Sequence, residues 1–201
     1  MNNAFQPSSK TLTDHLRVRF KHLLDPVGGF LNRIGIAPNT LTLAGLIGNL
    51  IGSLLIARGQ FIVGGLILLL MGPLDALDGT MARLRGEPTD FGAFIDSVTD
   101  RYSELIIFAG LLYYYLNAGS TLMALVAFAA SAGSVLVSYV RARAQSLGYE
   151  AKEGILTRAE RFAVLIPSII LGYPSVGVVI VAVLANFTAL QRILIVRRLA
   201  R

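Results

Sequence analysis

The chain has 201 residues, 54% of them hydrophobic and only 15% charged, with a mean hydropathy of +0.65. That balance is too apolar for an ordinary water-soluble domain and points to a polytopic membrane protein. The net charge of +6 invites a nucleic-acid reading, but the positions of the basic residues speak against it, and the absence of cysteine excludes disulfides and thiolate metal sites.

Residues 1–37 form an N-terminal cytoplasmic segment without the basic and apolar regions of a cleavable signal peptide. Leu12, Leu16, Phe20 and Leu23 recur at helical spacing among Arg17, Arg19 and Lys21. The pattern predicts an amphipathic helix lying on the cytoplasmic membrane surface, with a solvated tail as the alternative.

Residues 38–201 read as one membrane domain, because apolar segments follow one another at short intervals. A spanning helix needs about 20 mostly apolar residues. The expected spans are Asn39 to Ala57, Phe61 to about Arg85, Asp90 to Leu116, Thr121 to Gln145, Leu156 to Leu171 and Ser175 to Arg197, an all-α architecture of six transmembrane helices. The apolar run from Phe61 to Leu74 is too short to cross alone, so the second span must continue through Asp75, Asp78 and Arg83. Likewise, the third gains enough length only by starting before Asp96 and Asp100. The carboxylates therefore belong to helix ends near the cytoplasmic boundary.

Turn chemistry supports these boundaries. Pro38-Asn39-Thr40 opens the first span, Gly59-Gln60 follows it, and Gly86-Glu87-Pro88-Thr89 separates the second from the third. Tyr113, Tyr114 and Tyr115 suit an aromatic belt at the opposite interface, and Pro167 is expected to kink the fifth span. Gly45, Gly48 and Gly52 allow close helix packing without specifying a dimer face. With the N-terminus inside, every Lys and Arg except Arg58 falls on the cytoplasmic side, including Lys10, Arg33, Arg85, Arg101, Arg143, Lys152, Arg158, Arg197, Arg198 and Arg201. Such asymmetry follows the positive-inside rule, and attraction to anionic lipid explains the excess charge better than nucleic acid does.

Asp75 and Asp78 stand at i and i+3, Asp96 and Asp100 at i and i+4, so each pair shares one helical face. A short hairpin between the two helices can bring the faces together, and four converging anions repel unless cations intervene. All-oxygen ligation without His or Cys favours Mg²⁺, Mn²⁺ or Ca²⁺. Taken singly, each aspartate could instead be an interfacial charge paired with Arg83, Arg85 or Arg101; together at helical spacing within a membrane segment they read as a functional site. Gly79 and Ala82 leave room beside Asp78, Gly92 does so one turn before Asp96, and Arg83 offers a planar donor array suited to phosphate.

The series Asp75-x2-Asp78-Gly79-x2-Ala82-Arg83-x8-Gly92-x3-Asp96-x3-Asp100 resembles, at every fixed position, the signature of the CDP-alcohol phosphotransferase family. The resemblance implies transfer of a phosphatidyl group from CDP-diacylglycerol to an alcohol, with release of CMP, at the cytoplasmic face of a six-helix membrane domain. It implies Asp75, Asp78 and Asp96 as principal ligands of Mg²⁺ or Mn²⁺, two ions being expected, with Asp100 as general base and further ligand. Pro38-Asn39-Thr40-Leu41-Thr42 resembles the family's nucleotide-binding Pro-Asn-x-x-Thr element. On that basis Asn39, Thr42, Gly79, Ala82 and Arg83 would hold the CDP donor. Helix N-capping by Asn39 is the ordinary alternative, and both roles can coexist. A homodimer in the plasma membrane is the family's expectation.

The acceptor is read from Ser138 to Phe162. Ser138-Tyr139-Val140-Arg141-Ala142-Arg143-Ala144 and Glu160-Arg161 resemble elements of prokaryotic phosphatidylinositol-phosphate synthases, with Arg in place of the more usual Lys at position 141. That resemblance implies inositol phosphate as acceptor, its phosphate held by Arg141, Arg161 and Arg192. Positive-inside topology alone would also place arginines there. Glycerol 3-phosphate is the alternative acceptor, an archaeol-based lipid the alternative donor, and a divalent-cation transporter the reading from a different functional class.

Overall fold

The structure is a computed structural model and describes residues 12–86, 89–151 and 154–200. Glu87, Pro88, Lys10, Lys152 and Arg201 lie outside the described residues, as do the side chains of 12–21 and of Leu23. The apolar set Leu12, Leu16, Phe20 and Leu23 therefore falls outside the description.

All regular structure among the described residues is helical: α1 (Leu12–Arg33), α2 (Pro38–Ala57), α3 (Phe61–Leu84), α4 (Asp90–Asn117), α5 (Thr121–Ser146), α6 (Arg158–Ile170) and α7 (Pro174–Leu199). Four of these, α2, α3, α5 and α7, are long and apolar enough to cross a bilayer. α4 has 28 residues, ample length, but carries its charges along the first half. α6 is shorter than expected. Thr157 is the cap, its amide donating to the Glu160 carboxylate, so the helix begins at Arg158 and has only 13 residues, about 20 Å of rise.

Local sequence explains the starts and stops. Pro38 takes the first turn of α2, where its missing N–H costs nothing, and the cap falls on Ala37 rather than Asn39. Thr89 caps α4 by accepting from the Gly92 amide at 3.0 Å. Gly59, at φ 79°, lets the chain leave α2 in the left-handed region, and its neighbour Gln60 donates back to the Leu55 carbonyl at 2.9 Å.

The helices approach closely where side chains are small. A Cβ on Gly64 of α3 would lie 2.8 Å from the Gly52 carbonyl oxygen of α2, and one on Gly110 of α4 would lie 2.6 Å from the Ser53 carbonyl oxygen of α2. Gly45, Gly48 and Gly52 all turn toward α3, against Asp75, Met71 and Leu68 respectively. The small face of α2 is thus spent within the chain. Between α5 and α7, the Asn186 amide donates to the Ala129 carbonyl at 3.0 Å.

The main core joins Ile56, Leu68, Ile107, Leu111, Val137, Leu165, Ile169 and Val181 across α2 to α7. A smaller cluster of Leu41, Leu77 and Met81, with Leu24 and Leu31 against it, seats the end of α1 on α2 and α3. Asn32 reinforces this seat by donating to the Met81 carbonyl at 3.1 Å and accepting from Arg85 at 2.7 Å. Large apolar side chains such as Leu70, Leu122, Phe128, Val183 and Leu190 remain exposed on the outside, the inverse of a soluble surface and the pattern of a lipid-facing one.

Because successive helices reverse direction, the start of α2, the end of α3, the start of α4, the end of α5, the start of α6 and the end of α7 meet at one end of the bundle. Every candidate site residue lies there.

Candidate active site

α2 is the floor on which the two aspartate helices assemble, with α3 and α4 both packed against it. Asp78 is buried, 5% exposed, and accepts a hydrogen bond from Thr42 Oγ1 at 2.6 Å. The Gly79 amide donates to its other oxygen. One turn away, Asp75 fits beside α2 because position 45 is glycine: a Cβ there would stand 3.1 Å from Asp75 Oδ1. Thr42 and Gly45 of α2 thus fix where both α3 carboxylates point.

Across the cleft, Asp96 and Asp100 rise from α4, and the series continues to Glu104 one further turn along the same face. The charges of Asp75 and Asp96 act on both Asp78 and Asp100, so the structure brings the four aspartates together as expected. No three His, Cys, Asp or Glu side chains among the described residues converge as they stand on a single ion position. The Arg158 guanidinium instead lies between the two helices, 2.8 Å from Asp75 Oδ2 and 2.6 Å from Asp100 Oδ1. The donor set nonetheless suits a hard divalent cation, being all oxygen and strongly anionic, with part of its charge now balanced by that guanidinium.

The other expected residues surround this centre. Gly79 and Ala82 line the same turn as Asp78, and Arg83 is exposed, with NH2 donating to Thr80 Oγ1 at 2.9 Å. A Cβ on Gly79 would stand 3.4 Å from Arg83 NH1, so the glycine leaves the guanidinium room beside the helix. Asn39 is exposed on the first turn of α2 and takes no part in capping.

The arginines expected for an acceptor converge too. Arg192 is buried, donates to the Val137 carbonyl at 2.7 Å, and feels the charges of Arg141 and Arg161. The backbone at Gly154 covers it, since a Cβ there would be 3.3 Å from Arg192 Nε. Arg141 is exposed at the end of α5. Arg161 is 2% exposed and forks onto Glu104 at 2.7 and 2.9 Å, so part of its charge serves the fold.

Two residues escaped the sequence reading, Glu104 and Arg158. The first was detectable as the i+4 continuation of Asp96 and Asp100. The second had no such signal, because its partners lie on α3 and α4, far away in the chain.

Known proteins resemble this chain in sequence and in fold. The sequence profile described as CDP-alcohol phosphatidyltransferase matches residues 35–193, a stretch containing every site residue named above. An archaetidylinositol phosphate synthase of Methanothermobacter thermautotrophicus is 34% identical over 194 residues, covering 94% of this chain and 95% of that one. A phosphatidylinositol phosphate synthase of Streptomyces avermitilis is 36% identical over 203 residues, covering 93% and 83%. Among solved structures, Mycobacterium tuberculosis phosphatidylinositol phosphate synthase with CDP-DAG bound superposes with a TM-score of 0.82 at 28% identity, covering 87% of this chain and 94% of that one. The same enzyme in complex with manganese and citrate gives 0.80 at 28% identity, covering 86% and 88%. With signature, fold and relatives in agreement, the chain belongs to the CDP-alcohol phosphatidyltransferase family and is a transferase of phospholipid biosynthesis.

Proposed function

We propose that this protein transfers the phosphatidyl group of a CDP-activated glycerolipid to inositol phosphate, giving a phosphatidylinositol phosphate and CMP. The observation that carries the reading is the placement beside the four-aspartate cleft of two buried arginines, Arg161 and Arg192, with the exposed Arg141 near enough for its charge to act on Arg192. Like charges gathered there raise the energy of the empty site, and an acceptor bearing a phosphate lowers it. A plain alcohol would not. Relatives named for the same reaction with phosphatidyl and archaetidyl lipids support the acceptor while leaving the lipid tails open.

Six helices, α2 to α7, form the membrane domain in this reading, with α1 on the cytoplasmic surface. Both termini and the cleft face the cytoplasm of the plasma membrane, and the protein pairs as a homodimer. Asn39 and Thr42 on α2, with Gly79, Ala82 and Arg83 on α3, hold the CDP moiety, Arg83 standing by the diphosphate. Asp75, Asp78, Asp96 and Asp100 hold two divalent cations, Mg²⁺ or Mn²⁺. When bound, these cations supply neutralisation of the diphosphate and of the charge that develops on departing CMP. Thr42 and the Gly79 amide keep the Asp78 carboxylate aimed into the cleft. Asp100 accepts the proton of the inositol hydroxyl as its oxygen bonds to the lipid phosphorus and the bond from phosphorus to CMP breaks.

Acceptor screening tests the reading. Purified protein given Mg²⁺ and CDP-diacylglycerol should release CMP when inositol phosphate is added. Release with glycerol 3-phosphate and none with inositol phosphate would reassign the acceptor.

A further inference from the structure

Arg158 is the first residue of α6, and the hydrogen bond from the Thr157 amide to the Glu160 carboxylate fixes where that helix begins. Its guanidinium bridges the two aspartate helices, reaching Asp75 Oδ2 on α3 and Asp100 Oδ1 on α4, with Nε 3.7 Å from Glu104 Oε1. The Phe162 ring lies beneath it, 5.0 Å from ring centre to guanidinium carbon. Helix start, aromatic floor and three carboxylates together hold one cation at the centre of the cleft.

A divalent ion bound by Asp75 and Asp100 would need the same oxygens. A guanidinium contributes no lone pair to a metal and repels it at such range, so the two cations exclude each other. We propose that Arg158 is the internal counter-cation of the cleft: it joins α3 to α4 and offsets their mutual repulsion before an ion binds, withdraws as the ion enters, and thereby sets the ion affinity. This inference rests on the metal-dependent reading above and adds to it a competition built into the fold. Arg158 acts as a positioning residue here, through Asp75 and Asp100.

Ion binding without substrates tests it. Full-length protein in detergent is titrated with Mn²⁺, free ion being followed by electron paramagnetic resonance, for the parent, Arg158→Gln and Arg158→Lys. Arg158→Gln should bind Mn²⁺ about tenfold more tightly, equivalent to about 1.4 kcal/mol. Arg158→Lys, whose compact ammonium cannot bridge both carboxylates in the same way, should fall between. In melting experiments Arg158→Gln should unfold at lower temperature than the parent without metal, yet gain more from saturating Mn²⁺. Equal or weaker Mn²⁺ binding by Arg158→Gln overturns the inference alone. Absence of Mn²⁺ binding by all three proteins overturns the metal reading and the inference with it. Should Arg158→Gln fail to fold, Arg158→Lys decides: tighter binding than the parent supports the competition, and unchanged binding refutes it.

Discussion

Replacing Glu104 with Gln should destabilise the protein far more than loss of a surface charge would. Glu104 and Arg161 are 3% and 2% exposed, and the carboxylate takes both hydrogen bonds of the fork from one Arg161 amino group. Removing one member of a buried ion pair leaves the other charged and uncompensated, at a cost of about 3–5 kcal/mol, whereas replacing both by apolar groups is often close to neutral. For a chain of this size that cost corresponds to a fall in melting temperature of roughly 6–20 °C. A double-mutant cycle of Glu104→Gln, Arg161→Met and the combined variant, unfolded in one detergent, isolates the coupling. The combined variant should be more stable than either single one. A loss under about 1 kcal/mol for Glu104→Gln, the range of solvent-exposed pairs, would refute the claim that this fork is a buried structural bond.

Two further substitutions probe the floor beneath the cleft. Thr42→Val removes the donor to buried Asp78; a hydrogen bond to a charged group contributes about 1.5–3 kcal/mol, so kcat/KM for CMP release should fall about 10- to 100-fold, with Thr42→Ser retaining most of it. An unchanged rate in Thr42→Val would separate Thr42 from the chemistry. Gly110→Ala forces a methyl group against the Ser53 backbone, and overpacking of this kind costs about 1–3 kcal/mol. Melting at the parent temperature would mean that α2 and α4 do not need glycine there.

The helical plan was largely legible because each boundary carries local chemistry. The starts at Phe61, Asp90 and Thr121 match the expected ones, since turn glycines and the Thr89 cap act over a few residues only. α6 differs because Leu156 continues the apolar pattern of the span, whereas the Glu160 side chain accepts from the Thr157 amide and makes Thr157 a cap. The same limitation affects Asn39: proline at the first helical position puts the cap on Ala37, two residues upstream of Asn39, and the generic preference for Asn at a cap does not register that.

The four aspartates were readable because helical periodicity alone aligns each pair, and the cleft brings the pairs together. Arg158 was not, because its place depends on how α6 docks against α3 and α4. Its identity as a basic residue at the cytoplasmic end is equally well explained by topology. The three arginines proposed for the acceptor illustrate both outcomes. The expectation that they gather followed from sequence resemblance, while the engagement of Arg161 by Glu104 emerges only when two residues 57 apart in the chain meet.

The central claim, that the paired aspartates of α3 and α4 carry phosphatidyl transfer with Asp100 taking the proton, is tested most directly by Asp100→Asn. In the presence of Mg²⁺, CDP-diacylglycerol and inositol phosphate, CMP release should fall by about 10²–10⁴-fold, the range expected for removal of a general base. Binding of the CDP-lipid, measured separately without acceptor, should stay within a few-fold of the parent. Near-parental CMP release from Asp100→Asn would contradict the account.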